Sequence, residues 1–137
     1  MQSISYQRLD LFELFKIKPL WEELNNIHLI DSIYFKEHYS QFSFEKRSAS
    51  WTNLSEENIL LLVAKTNNKI IAYCVSTIES NQKGEIDSLF VNDEFRGKGV
   101  GKTLVEKSMK WLQSKQCKPI RLAVSYGHEE VLVFIKN

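Results

Sequence analysis

The 137-residue chain predicts a mixed α/β fold of α+β layers, a mainly antiparallel twisted sheet flanked by helices. Three observations carry that expectation. Two apolar runs, 59–66 and 70–79, face each other across the polar turn Asn67-Asn68-Lys69, as antiparallel partners do. A third apolar run, 85–91, leads into a segment whose apolar residues recur at helical spacing. Another strand-like run follows it. An antiparallel meander feeding a strand–helix–strand crossover is the simplest way to connect these pieces.

Taken in order, residues 4–9 alternate apolar and polar side chains, the period-two signature of a half-buried strand. Pro19 suits the first turn of a helix, and Leu20, Trp21, Leu24, Ile27 and His28 continue it at helical spacing. Residues 33–44 are rich in aromatics, including Tyr34, Phe35, Tyr39, Phe42 and Phe44, and predict a short helix or an irregular segment. Those aromatics suit helix packing or an acceptor pocket. After the three central strands, Val100, Leu104, Val105, Ser108, Trp111 and Leu112 trace one face of an amphipathic helix. Residues 119–124 predict a strand and residues 129–136 a last helix. Trp21, Trp51 and Trp111 fit core or rim packing.

Composition narrows the function. With 43% hydrophobic residues, 26% charged, five Gly and two Pro, the chain is globular and has the length of one domain, taken as 1–137. Eighteen Lys and Arg against 17 Asp and Glu leave a net charge of +1. That disfavours a general nucleic-acid or membrane-surface binder, so an anion site has to be built locally. The longest apolar run, 59–64, is far short of the roughly 20 residues that span a bilayer. The first ten residues lack the order of a secretory signal. Cys74 and Cys117 stand in apolar contexts and fit reduced core thiols of a cytoplasmic protein, with no metal site among them.

The sharpest motif is Arg96-Gly97-Lys98-Gly99-Val100-Gly101-Lys102, between a predicted strand and a predicted helix. Alternating glycines let the backbone bend and approach a ligand. Every amide in the run can donate, and those at a helix start lack partners and carry the positive end of the macrodipole. A phosphate is the natural filler. Lys102 in a first helical turn conflicts with the dipole, a conflict that a bound polyanion removes. A Walker loop needs four residues between its first glycine and Gly-Lys-Ser/Thr; only three separate Gly97 from Gly101-Lys102-Thr103. A dinucleotide fingerprint fails as well, because Lys102 and Leu104 fall where its third glycine belongs.

The run resembles the acyl-CoA-binding motif of the GNAT family of N-acetyltransferases, Gln/Arg-x-x-Gly-x-Gly/Ala after a hydrophobic strand ending in valine. Here that is Leu89-Phe90-Val91, then Arg96-Gly97-Lys98-Gly99-Val100-Gly101, and the resemblance covers residues 59–136. It implies an acetyl-CoA-dependent N-acetyltransferase working by direct attack of a small-molecule or peptide amine in a ternary complex. It also implies that the main chain of Gly97, Lys98, Gly99, Val100, Gly101 and Lys102 holds the coenzyme A pyrophosphate, with Arg96 setting the loop. Main-chain groups of Leu89, Phe90 and Val91 take the pantetheine, and the Val91 amide polarises the thioester carbonyl. Glu85 and Asp87 alternate on that strand and so share a face. Either is a candidate general base, and a solvated sheet surface is the plain alternative.

The C-terminal run departs from the family. His128 stands where an asparagine is common, and Ile135 where a tyrosine often protonates the departing thiolate, with Tyr126 as a substitute. The Gly-Phe and the two strands that normally follow the last helix are missing. That leaves room for a homodimer that completes the sheet, and for a non-catalytic acyl-CoA-binding module as the alternative to an enzyme.

Overall fold

The computed structural model describes residues 3–31, 43–126 and 129–135. One six-stranded sheet runs in chain order: β1 (Ser5–Leu9), β2 (Ile59–Thr66), β3 (Lys69–Ile78), β4 (Gly84–Val91), β5 (Ile120–Tyr126) and β6 (Glu129–Ile135). All neighbours pair antiparallel except β4 and β5, which are parallel. The helices are α1 (Lys18–Asp31), α2 (Phe44–Thr52) and α3 (Val100–Ser114). A 3-10 segment, Leu11–Ile17, joins β1 to α1. Among the described residues no helix is long and apolar enough to cross a membrane.

The uninterrupted apolar run of β2 is explained by burial on both faces. Leu60, Leu62 and Ala64 join the core under α3, with Val100, Leu104 and Leu112. Ile59, Leu61 and Val63 join the opposite core, with Leu14, Ile17, Trp21, Leu24, Phe44 and Trp51. The β2–β3 turn is made by Asn67 and Asn68, both at positive φ, the left-handed geometry that asparagine tolerates in a hairpin. Cys74 and Cys117 are buried free thiols.

One expected element is corrected. Residues 129–136 do not form a last helix: Glu129–Ile135 is strand β6, antiparallel to β5 from Ile120↔Ile135 to Tyr126↔Glu129. Val131, Val133, Phe134 and Ile135 have the β-branched and aromatic chemistry of a strand, and β5 offers an edge with which to pair. Ile135 is therefore a ladder residue opposite Ile120, and the helical comparison that put it in a tyrosine's place does not hold. His128 and residues 34–42 lie outside the described residues.

Candidate active site

Strand β4 positions both parts of the site. At its end, the Asn92 N–H donates to the Ile71 carbonyl at 2.9 Å. Ladder parity then turns the main-chain groups of Val91 and Leu89 away from β3, towards β5. Phe90 pairs with Tyr73, and the same parity directs its N–H and C=O to β3. On the other side, the β4–β5 ladder consists of Gly84↔Ile120, Glu85↔Arg121 and Ile86↔Leu122. Beyond Ile86, β5 does not pair with β4, so a gap with unclaimed main-chain donors opens at the carboxyl end of the two parallel strands. In open α/β sheets that is the end where ligands bind.

The chain leaves β4 through a 3-10 turn, Asp93–Phe95, capped by the Asn92 side chain. Arg96 then folds back. Its Nε donates to the Val91 carbonyl at 3.0 Å, its Nη1 pairs with Asp93 at 2.6 Å, and its guanidinium lies over the Phe90 ring. Nη2 is buried without a partner. Arg96 thus staples the strand end to the loop and occupies the Val91 carbonyl, leaving the Val91 N–H facing the gap.

Gly97 and Gly99 have φ +75° and +80°, which glycine adopts without penalty. A Cβ at either would meet nothing within 4 Å, so the surface above the turn is open. Gly99 caps α3, accepting from the Thr103 N–H at 3.0 Å and the Thr103 hydroxyl at 2.9 Å. Beyond the turn that closes residues 96–99, the amides of residues 97–102 find no main-chain acceptor in good geometry among the described residues. No acidic residue stands in the first turn of α3, and Lys102 is solvent-facing. This donor set fits a diphosphate: several free N–H groups, a helix dipole and flanking cations at one open turn.

At the other end of β4, Val75↔Ser88 and Ser76↔Ile86 skip Asp87, which makes it a bulge residue. Asp87 Oδ2 accepts from Trp51 Nε1 at 2.8 Å and pairs with Arg47 Nη2 at 3.1 Å. Arg47 and Trp51 lie one turn apart on α2, whose first turn is capped by Ser43. Glu85 is half-buried and sits 3.8 Å from Arg121. Burial first, and then the charge of Asp87, push the Glu85 carboxyl above the usual range, against a smaller pull from Arg121.

Glu85 and Asp87 thus lie two residues apart on β4, with different partners, and the glycine turn sits at the head of α3. Sequence reasoning missed Arg47, and it took Trp51 for packing alone. Trp51 is 1% exposed and also donates a hydrogen bond. The spacing Arg47-x-x-x-Trp51 on one helix face was the available signal.

Comparison with known proteins shows the family and the fold. A profile of the acetyltransferase (GNAT) family matches residues 21–134. An N-alpha-acetyltransferase of Saccharolobus solfataricus is 28% identical over 68% of this chain and 59% of its own length. An uncharacterized N-acetyltransferase of Methanocaldococcus jannaschii is 23% identical over 77% of this chain and 52% of its own. The chain thus spans somewhat more than half the length of these relatives. The PaiA N-acetyltransferase of Thermoplasma acidophilum, solved in complex with coenzyme A, superposes with a TM-score of 0.65 at 26% identity, covering 90% of this chain and 80% of that one. With the family profile spanning most of the sequence and the fold shared, this chain belongs to the GNAT family of acetyltransferases.

Proposed function

We propose that the chain binds acetyl-CoA across the glycine turn and the β4–β5 gap, and transfers the acetyl group to a primary amine. The observation that carries this reading is the set of unpaired amides at 97–102, continuous with the inward-facing Val91 N–H. The coenzyme A complex of the Thermoplasma acidophilum relative supports it. Amides 97–102 hold the diphosphate, and Leu89 and Val91 offer main-chain bonds to the pantetheine arm.

Glu85, six strand residues before Val91, takes one proton from the acceptor ammonium through intervening water, freeing the nitrogen lone pair to attack the thioester carbonyl carbon. The Val91 N–H stabilises the oxyanion that develops as the C–N bond forms. The C–S bond then breaks, the sulfur leaves as a thiolate, and the second amine proton passes to solvent water. An ordinary thiol has a pKa of about 8.5, so this departure needs no dedicated acid. Much of the rate comes from holding amine and thioester together. The acceptor is a small-molecule or peptide amine, and no step uses a metal.

A thiol-release assay against a panel of amines, run beside acetyl-CoA binding calorimetry, tests the reading. Binding with amine-dependent release of free thiol is expected. Binding without release would make the chain a non-catalytic acyl-CoA module, and absent binding would remove the turn from the function altogether.

A further inference from the structure

Strand β4 changes face midway. Ile86 and Leu89 both pack in the core under α3, and the two side chains between them are held on the other face of the sheet. Asp87 Oδ2 accepts from Trp51 Nε1 at 2.8 Å and pairs with Arg47 Nη2 at 3.1 Å. Ser88 Oγ shares a 2.8 Å hydrogen bond with the Tyr73 hydroxyl, and Trp51 and Tyr73 belong to the core opposite α3. Strict alternation cannot put neighbouring side chains on one face, so the bulge at Asp87 is required. Main-chain facing shifts with it. Gly84 donates towards β5, to the Pro119 carbonyl at 3.0 Å. From there a regular strand would next present Ile86, Ser88 and Phe90 to β5. The extra residue hands that side to Leu89 and Val91 instead. Pairing with β5 ends at the same place, at Ile86↔Leu122, immediately before the bulge. The bulge thus marks the apex of the gap, because past it β4 no longer meets β5 in phase.

Burial of Ile86 and Leu89 on one face demands an extra residue between them, and the anchor on α2 decides where it sits. That anchor is rigid. The Trp51 ring is 1% exposed, the Arg47 guanidinium lies 4.4 Å from its centroid, and Nη2 is also 3.5 Å from the Asp87 carbonyl. We propose that Arg47 and Trp51, acting through Asp87, are positioning residues that pin the bulge and so fix the apex of the β4–β5 gap before the pantetheine arm enters it. The inference rests on the reading of that gap as the pantetheine channel and adds what holds it in shape.

Calorimetry with two probes tests it: coenzyme A, and its ribose-phosphorylated ADP fragment, which carries the diphosphate but no pantetheine arm. Asp87→Leu keeps the bulk of the side chain and removes the acceptor oxygens. It should weaken coenzyme A about tenfold, because a gap that is not preorganised must be ordered on binding, and change the fragment by less than about twofold. Trp51→Phe keeps a ring and loses one donor, so it should act in the same direction by less, and it decides the matter should Asp87→Leu not fold. Asp87→Asn, which keeps an acceptor, should bind both probes as the parent does. NMR cross-strand contacts in the unliganded chain read the apex itself. The last β4–β5 contact, Ile86 to Leu122 in the parent, should move along the ladder in Asp87→Leu. An unmoved ladder end, or equal losses for the two probes as a general loss of packing would give, overturns the inference. A moved end with coenzyme A affinity unchanged would leave the anchor standing and remove the gap from the reading of function.

Discussion

The carboxylate pair at the start of β4 and the glycine turn beyond its end lie on one continuous stretch of chain, with their polar groups in opposite states. Asp87 is met by Trp51 and Arg47, and Glu85 by Arg121. Beyond the turn at 96–99, the amides of 97–102 find no main-chain acceptor in good geometry among the described residues. Folding completes the first region and leaves the second to water or a ligand, a state a helix start tolerates because it is exposed. The difference teaches where each kind of chemistry can be built. A proton-transfer group needs a fixed environment that the fold supplies in advance. A diphosphate is recognised by main-chain donors that nothing else has claimed.

The largest effect should come from closing the open region. Gly99→Glu places a carboxylate where the diphosphate would lie, in a left-handed conformation that costs a side-chain-bearing residue roughly 1–2 kcal/mol. The helix itself tolerates an acid at its N-terminus, and the new Cβ meets no neighbour within 4 Å, so the fold should persist. Acetyl-CoA affinity, read by calorimetry, should fall on the order of 100-fold, about 2.8 kcal/mol. Gly99→Ala, with the strain but not the charge, should lose far less. Undiminished affinity in Gly99→Glu would dismiss the turn as the anion site.

Breaking the completed region should change rate and leave affinity alone. Glu85→Gln is expected to lower kcat/KM about 100-fold near neutral pH, with acetyl-CoA binding unchanged. The sign of the pH dependence follows from the raised titration of Glu85. As pH falls through that raised value Glu85 gains its proton and stops acting as a base, so parent activity declines at milder acidity than an ordinary glutamate would give. The glutamine variant has nothing to titrate, and its acid limb should flatten. An identical pH–rate profile in parent and variant would take Glu85 out of the mechanism.

The two regions were unequally legible in the sequence. The glycine turn is local: strand, loop and helix are consecutive, so residues 85–112 show the whole arrangement without knowledge of any distant contact. The carboxylate pair was visible as a spacing, but its partners were not. Arg47 and Trp51 stand 40 and 36 residues before Asp87, and only the packing of α2 on the sheet unites them. The bulge was hidden for a similar reason, since it exists only relative to the register of β3. The C-terminal strand went wrong differently. A short apolar run such as 131–135 carries no decisive period, and the family's helical pattern drew it towards a helix until pairing with β5 decided the matter.

Glycine separates the regions a third way. Gly84, where β4 begins to pair with β5, is buried, and a Cβ there would lie 3.0 Å from both Cys117 Cβ and Leu112 Cδ2. Gly84→Ala should therefore destabilise the fold by about 1–3 kcal/mol through overpacking, measured by urea denaturation. Gly97→Ala, strained at φ +75° but uncrowded, should cost only about 1–2 kcal/mol. A Gly84→Ala variant as stable as the parent, or more stable, would show that the start of β4 is not close-packed as described.

The smallest effect tests whether main chain or side chain holds the anion. Lys102 is 82% exposed and reaches Glu106 only at 3.9 Å, so its charge is largely screened. Lys102→Ala should weaken acetyl-CoA binding two- to fivefold, about 0.4–1 kcal/mol, and the deficit should shrink as salt is raised. Without ligand the variant should be no less stable than the parent, because a lysine at the N-terminal turn opposes the helix dipole. If Lys102→Ala instead removed binding as thoroughly as Gly99→Glu, the anion would be held by a flexible ammonium. The unpaired amides would then be ordinary solvated helix-start groups, and the contrast between the two ends of β4 would lose its functional meaning.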